Sequence, residues 1–537
     1  MLMLQHLYRF ALLLLKYVLP LVCIVQFLMI TILLPLNGDI GWLFHATQEW
    51  LQGKRLYIDI IEVNPPMVFL VMAPAVLLSK GLGLSAALTT KVYLVAISAA
   101  ATFLYLRIMR KILPQTIFSY VFISASIIII FVMPEYDFGQ RDYLAIVFLL
   151  PYLISRFHES HGGGQLTGGK FYEAVIIGFI GGIGVCFKPY FIIFPVVGEL
   201  WLFMQCNRRF ATVPVQMASM FAVIGAFCCS VLLFFPSYLT KIIPLGIATY
   251  WTYGHPLKDF NLPYFLILLL GLVFATYHIN IEIHRRLTQY VSVLTFSALI
   301  SFLVQSHYSY QLIPFKVLLF INFVLVISLF LIERPQLKSF SSVTGSLMAV
   351  WIVFVTGGLI YRKADVAQYV ITKSELPSFN ILGYSYLSDA VDVINENFAG
   401  QPIYVFSTNV WPSSFITTYT KSHWVSAFPA LWPLPAIEFY ESHSYMLQEK
   451  KRMQILAVKT DVINRLTMEL SLNKPVAIIV DTSISPSYFP AGFRYSDFIV
   501  RNDELETLFR NYKLSTLKLK FFENKTYDVY VINEYHI

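Results

Sequence analysis

The stretch GDIGWLFHATQEWLQGKRLYIDIIEVNPPM, residues 38–67, places Asp39, Glu49, Asp59 and Glu62 directly after a long apolar segment and closes on the Pro65-Pro66 pair. Carboxylates beside a hydrocarbon core are costly unless they are paired or used. The run therefore reads as a functional loop at a membrane boundary. The membrane itself follows from composition: 57% of the 537 residues are hydrophobic, 13% are charged and the mean hydropathy is +0.65, which excludes a water-soluble globule of this length.

A bilayer crossing needs about 20 apolar residues. That ruler marks candidate spans near 11–35, 91–106, 116–133, 143–155, 172–187, 190–205, 214–236, 262–278, 290–305, 312–332 and 342–361, so the expected fold is a polytopic α-helical membrane protein of about 11 spans. No small-residue cleavage site follows the first apolar segment, which is expected to be retained as a helix. With the N-terminus in the cytoplasm, Arg9, the Arg107–Lys111 cluster, Arg156, Lys170, Arg208-Arg209, Arg285-Arg286, Arg334 and Lys338 all fall on the inside, as the positive-inside rule requires. Counting 66–83 as a further span would invert that order, so this segment is expected to be interfacial.

The odd number of spans delivers 365–537 to the outside. Basic residues exceed acidic ones by 11 in 1–364 and fall short by 3 in 365–537, so the halves are expected to be separate domains: a membrane domain with outer loops at 36–90 and 134–142, and a soluble α/β domain. The tail carries short apolar runs at 402–406 and 475–480, helix-like patterns at 385–397 and 446–470, and an alternating pair at 517–522 and 527–532. All five cysteines (Cys23, Cys186, Cys206, Cys228 and Cys229) lie in the membrane half, leaving the tail without a disulfide. Neither zinc spacing nor a basic-aromatic patch is present, and nucleic acid is not an expected partner.

The first loop opens on Asp39, continues through Leu51-Gln52-Gly53-Lys54-Arg55-Leu56-Tyr57-Ile58-Asp59 and closes on Asn64-Pro65-Pro66. It resembles the first extracytoplasmic loop of the GT-C glycosyltransferases that use polyprenyl-phosphate sugars, a group containing the lipid A aminoarabinose transferases and the protein O-mannosyltransferases. The resemblance covers the first four or five spans in motif and the rest only in layout. It implies an inverting transferase of the bacterial inner membrane with a periplasmic tail. Such an enzyme moves a sugar from a polyprenyl phosphate to a glycan, lipid or protein acceptor. The expected site lies in a cavity between the two outer loops and the outer ends of spans two and five.

The resemblance implies Asp39 as the base that takes the acceptor's proton. A turn begun by Asn37-Gly38-Asp39 is the plainer account of the same residues. Where the family shows an acidic pair, Ile40 follows Asp39 here, so Glu62 or Asp137 is the expected helper carboxylate. The second loop, Pro134-Glu-Tyr-Asp-Phe-Gly-Gln-Arg-Asp142, follows span three, where the family also carries a functional acidic residue; a salt-bridge network among Glu135, Asp137, Arg141 and Asp142 is the alternative.

A departing lipid phosphate needs cations or a metal. Lys188, Lys91 and Arg141 are the donor phosphate candidates, Lys91 lying where the O-mannosyltransferases have an Arg. Lysines near helix ends also snorkel for structural reasons, Lys316 most of all. Tyr57, Glu135, Gln140, His255, His307 and Tyr308 are candidate substrate-binding groups, with aromatic-belt roles as the alternative for the last three. No cofactor is evident, and use of Mg, Mn or Zn is left open.

The run HGGGQLTGG at 161–169 lacks a Lys-Ser/Thr ending and reads as a linker, and Asn524-Lys-Thr526 is a sequon by spelling alone. Trp411, Trp424 and Trp432 form either core or an acceptor ledge. A transporter or flippase of a lipid-linked saccharide is the alternative class, but internal repeats and mid-membrane charges are not evident. A catalytically dead relative whose tail recruits partners is a third possibility.

Overall fold

The computed structural model describes residues 35–162, 169–206, 213–253, 261–305, 308–333, 385–486, 488–522 and 525–535. The apolar segment at 342–361, all but the last residue of the one at 11–35, residues 163–168 of the glycine-rich run, His255, His307 and Asn524 lie outside the described residues. The chain divides into two compact units.

The helical unit holds Lys91–Cys229 and the described part of Pro256–Gln368. Its helices are α3 (Ala86–Ile112), α4 (Ile117–Phe131), α5 (Arg141–Ser160), α6 (Gly169–Cys186), α7 (Ile193–Cys206), α8 (Val215–Phe234), α10 (Leu262–Thr276), α11 (Glu282–Gln305) and α12 (Ile313–Ile332). Among the described residues, α3, α6, α8, α11 and the run Ser309–Ile332 are long and apolar enough to cross a membrane. Of the eleven apolar segments, those at 11–35 and 342–361 lie wholly or almost wholly outside the described residues, and among the described ones α4 and α10 end after 15 residues, about 22 Å of helix against a core of about 30 Å.

Small residues bring the helices close. A Cβ on Gly178 would overlap the Gln216 carbonyl of α8, and one on Gly184 would lie 3.0 Å from the Ala145 carbonyl of α5. Thr116 starts α4 by accepting from Ser119 N, a side-chain cap. Arg156, expected in an inside loop, is instead buried in α5. Its guanidinium donates to both carboxylate oxygens of Glu199, at 2.6 and 3.0 Å, while the Tyr152 hydroxyl donates to Oε1.

The second unit gathers Leu34–Thr90, Ser230–His255 and Tyr369–Ile537. Its helices are α1 (Gly38–Leu51), α2 (Met67–Leu82), α9 (Ile243–Thr249), α13 (Ser385–Phe398), α14 (Val410–Tyr419), α15 (Leu434–His443), α16 (Glu449–Asn473), α17 (Tyr495–Val500) and α18 (Asp503–Phe509). Strands β1 (Pro402–Phe406), β2 (His423–Trp424), β3 (Ala477–Asp481), β4 (Tyr512–Phe522) and β5 (Lys525–Ile532) form one sheet in the order β2-β1-β3-β5-β4. The β2-β1-β3 part is parallel, with Ile403 opposite Ala477, and the β3-β5-β4 part is antiparallel. Strand β3 is buried at all five positions, as expected of a central strand covered on both faces.

The first-loop helix belongs to this unit. Asn37 caps α1 by accepting from Asp39 N, so the turn chemistry of Asn37-Gly38 initiates a helix. A Cβ on Gly41 would overlap Ser414 Oγ of α14, and one on Gly38 would sit 2.9 Å from the Trp411 ring, so glycine is what allows α1 to lie directly on α14.

Candidate functional site

In the second unit, the chain between α1 and α2 is held by its own polar groups. Glu62 is 4% exposed; Oε2 accepts from Trp42 Nε1 at 2.8 Å, and Oε1 accepts from Asn64 N and Nδ2 at 3.1 and 2.6 Å. Tyr57 is fully buried at φ +69°, a backbone region that favours glycine, and its hydroxyl donates to the Asn64 carbonyl at 2.7 Å. Burial beside Tyr238 and Glu62 raises the Tyr57 phenol well above its ordinary value, so it stays protonated as a donor. Arg55 donates twice to Asp59 at 3.0 Å and holds that carboxyl below its usual range.

The tail supports the same loop: Arg465 donates to the Ile58 carbonyl and Ile61 N to the Ala427 carbonyl, each at 2.8 Å. Trp42, His45, Glu49, Lys54, Asp59 and Trp424 line a small cleft. Burial pushes the His45 imidazole down to about 4, so it is neutral at physiological pH. Asp39 stands half-buried in the first turn of α1. Trp411 packs at Gly38, Trp424 meets Trp42 edge-on at 6.2 Å, and Trp432 meets Tyr250 at 5.2 Å.

In the helical unit, the second loop forms a short 3₁₀ turn, Glu135–Asp137, that feeds the N-terminus of α5. Glu135 is exposed at φ +47°, another residue held where glycine is favoured. Gln140 precedes α5 and is buried, so α5 opens with Arg141 and Asp142 in its first turn. A carboxylate there is favoured by the helix dipole.

Three segments meet at this helix end. Lys188, ahead of the 3₁₀ turn Pro189–Ile192, donates to Asp142 Oδ2 at 2.7 Å, and the Tyr190 hydroxyl lies 3.4 Å from Oδ1. From the segment before α12, the Tyr310 hydroxyl accepts from Arg141 Nη2 at 3.3 Å. The Tyr310 ring centre lies 5.4 Å from Lys188 Nζ and 5.8 Å from Arg141 Cζ, within cation–π range. Tyr308 stacks on Tyr310 at 5.5 Å and 7°, while Tyr308 N donates to the Gln311 side chain at 3.1 Å.

Arg141 and Lys188 are both buried beneath the half-buried rings of Tyr190, Tyr308 and Tyr310. With Asp142 counted, the formal charge there is one positive unit. The arrangement can hold an anion by charge-assisted hydrogen bonds, and the tyrosines supply flat faces and hydroxyls around it.

Of the expected donor-site cations, Arg141 and Lys188 thus meet around Tyr310; Lys91 is buried near the start of α3. Asp142, Tyr190 and Tyr310 complete the cluster. Asp142 closes the second loop read from the sequence, but the partnership of these residues, 46 to 169 positions apart, left no local pattern. Among the described residues, no group of three His, Cys, Asp or Glu side chains could hold a metal ion.

No protein-family model matches the sequence, and no curated protein matches it. Among solved structures, the crystal structure of ArnT from Cupriavidus metallidurans bound to undecaprenyl phosphate is similar with a TM-score of 0.53 and 12% identity, over 95% of this chain and 96% of that one. The fold is GT-C. The archaeal oligosaccharyltransferase AglB from Archaeoglobus fulgidus, in complex with an inhibitory peptide and a dolichol-phosphate, is similar at a TM-score of 0.47 and 10% identity, over 97% of this chain and 75% of that one. The GT-C fold and the long apolar helices make this a membrane protein whose second unit carries a soluble α/β region.

Proposed function

We propose that this chain is an inverting glycosyltransferase of the bacterial inner membrane that moves a sugar from a polyprenyl-phosphate donor to a glycan, lipid or protein acceptor. Its N-terminus lies in the cytoplasm and its tail in the periplasm. The observation that carries the reading is the Arg141–Lys188–Tyr310 cluster, two buried cations under tyrosine rings, in a fold shared with a structure that binds undecaprenyl phosphate.

In this reaction an acceptor oxygen bonds to the sugar's anomeric carbon as the bond from that carbon to the phosphate oxygen breaks. The lipid phosphate leaves with the bonding pair and gains a negative charge. Arg141 and Lys188 stabilise that charge where it develops. Asp142 and Tyr190 fix the direction of the lysine, and Tyr310 fixes the arginine.

A carboxylate must take the acceptor's proton. Asp39 is the first candidate and Asp137 the second. Glu62 accepts from Trp42 and Asn64 and braces the loop instead. Tyr57, with its hydroxyl on a backbone carbonyl, builds the same loop. Glu135, Gln140, Tyr308, His255 and His307 remain the groups assigned to the sugar or acceptor, and Lys91 a further phosphate contact.

The test is transfer from a radiolabelled polyprenyl-phosphate sugar by the purified chain, with Asp39→Asn and Lys188→Ala beside it. Product formation that Asp39→Asn lowers on the order of 10²–10⁴-fold and Lys188→Ala by about ten- to a hundredfold supports the reading. Lipid movement across a vesicle membrane with no sugar transferred would instead make the chain a flippase.

A further inference from the structure

Helix α8 is long and apolar enough to cross a membrane, and its end at Phe234, 74% exposed, lies in the second unit. A short helical turn, Tyr238–Ile242, leads directly into α9. There Ile243 and Ile247, exposed by 39% and 70%, lie four residues apart on one face. An apolar face left open just beyond a membrane-crossing helix is the signature of a segment that lies in the bilayer interface.

Helix α16 packs on α9 in the same unit. Lys451 Nζ stands 3.7 Å from the centre of the Trp251 ring, which ties the first turn of α16 to the segment that follows α9. Around that turn Met446 and Met453 are each 61% exposed and Leu456 40%, next to the run Lys450-Lys451-Arg452. Exposed methionines and a leucine beside three consecutive cations suit one kind of partner: apolar chains below an anionic headgroup layer.

We propose that α9, the short turn Ser444–Met446 and the first turns of α16 form one lipid-docking surface, which rests the tail on an anionic leaflet through Ile243, Ile247, Met446 and Met453, with Lys450 and Arg452 on the headgroups. The occupant is the lipid surface itself. Continuity with the end of α8 and charge complementarity argue for lipid over a protein partner. The inference does not depend on sugar transfer, because its test reads depth and not turnover.

The test uses the full-length chain in nanodiscs of phosphatidylcholine, with and without phosphatidylglycerol. A nitroxide is placed at Met453→Cys in a version lacking native cysteines, and a control nitroxide at Glu504→Cys, an exposed position on α18. The Met453 label should collide several-fold more with oxygen, relative to a water-soluble nickel chelate, than the Glu504 label does. Phosphatidylglycerol should increase that ratio, and Lys450→Glu with Arg452→Glu should remove the increase. Equal ratios at the two positions, or an increase that survives both charge reversals, would overturn the proposal. Hydrogen exchange over residues 445–457 in the chain with its native cysteines gives a second reading. Exchange should slow when phosphatidylglycerol is added, and unchanged exchange contradicts the docking.

Discussion

Lys188 Nζ lies 2.7 Å from Asp142 Oδ2, with both residues buried and the Tyr190 hydroxyl on the second carboxylate oxygen. An ion pair of this kind costs most when one partner is removed, because the other is left buried and uncompensated, at about 3–5 kcal/mol. Asp142→Ala and Lys188→Ala should each lower thermal stability substantially. The double variant should lose less than the sum, with a coupling of about 0.5–3 kcal/mol in a double-mutant cycle. Additive losses would mean that the pair does not act as a unit.

The aromatic side of the cluster separates charge from geometry. Arg141→Lys keeps a cation but gives up the planar fork that reaches the Tyr310 hydroxyl. Donor affinity should fall by about tenfold, as expected for one charge-assisted contact. Lys316→Ala, which alters a half-buried lysine in the first turns of α12, should leave it unchanged. Binding of a polyprenyl-phosphate sugar, measured for both variants, decides the point.

Much of this was legible in the sequence, for reasons that differ by element. In the tail, short apolar runs between turns announced β1 and β3, and alternation announced the β4–β5 pair, because period-2 patterns are local. The cations Arg141 and Lys188 could be named from their places at the ends of apolar segments. What joins them could not: Asp142 and Lys188 are 46 positions apart, and Tyr310 comes from a third segment. The packing of 34–90 and 230–255 with the tail was hidden for the same reason, since Gly41 shows its purpose only when Ser414 stands against it.

Glu62 and Asp39 lie in one loop with opposite expectations. Glu62→Ala leaves Trp42 Nε1 and the Asn64 donors without their acceptor, and each buried orphan costs about 1–3 kcal/mol. Asp39→Asn keeps shape and should change stability by less than about 0.5 kcal/mol, while transfer falls on the order of 10²–10⁴-fold. Thermal unfolding and turnover of both variants give the comparison. A stable, inactive Glu62→Ala would assign the base to Glu62.

Glu469 supplies a pH dependence. Its carboxylate is buried in the tail, with Ala427 N donating to Oε1 at 3.1 Å and the Tyr404 hydroxyl to Oε2 at 3.2 Å, and burial raises its pKa above the ordinary value. The folded state then binds a proton that the unfolded chain releases above about pH 4.3. The contribution of Glu469 is fully present below that pH and is lost as pH rises through the folded value. Glu469→Gln removes the titration, so the melting temperature of the variant relative to wild type should climb across that window. A difference that stays flat with pH would show that Glu469 does not hold the raised value.

The central claim is that Arg141 and Lys188 hold the donor's phosphate. The most direct measurement is an experimental structure of the purified chain with a polyprenyl phosphate bound. The phosphate should lie within about 4 Å of both the Arg141 guanidinium and Lys188 Nζ, the range of an ion pair, with Tyr310 beside it. A phosphate held elsewhere, with Lys188 still paired only to Asp142, would contradict the account.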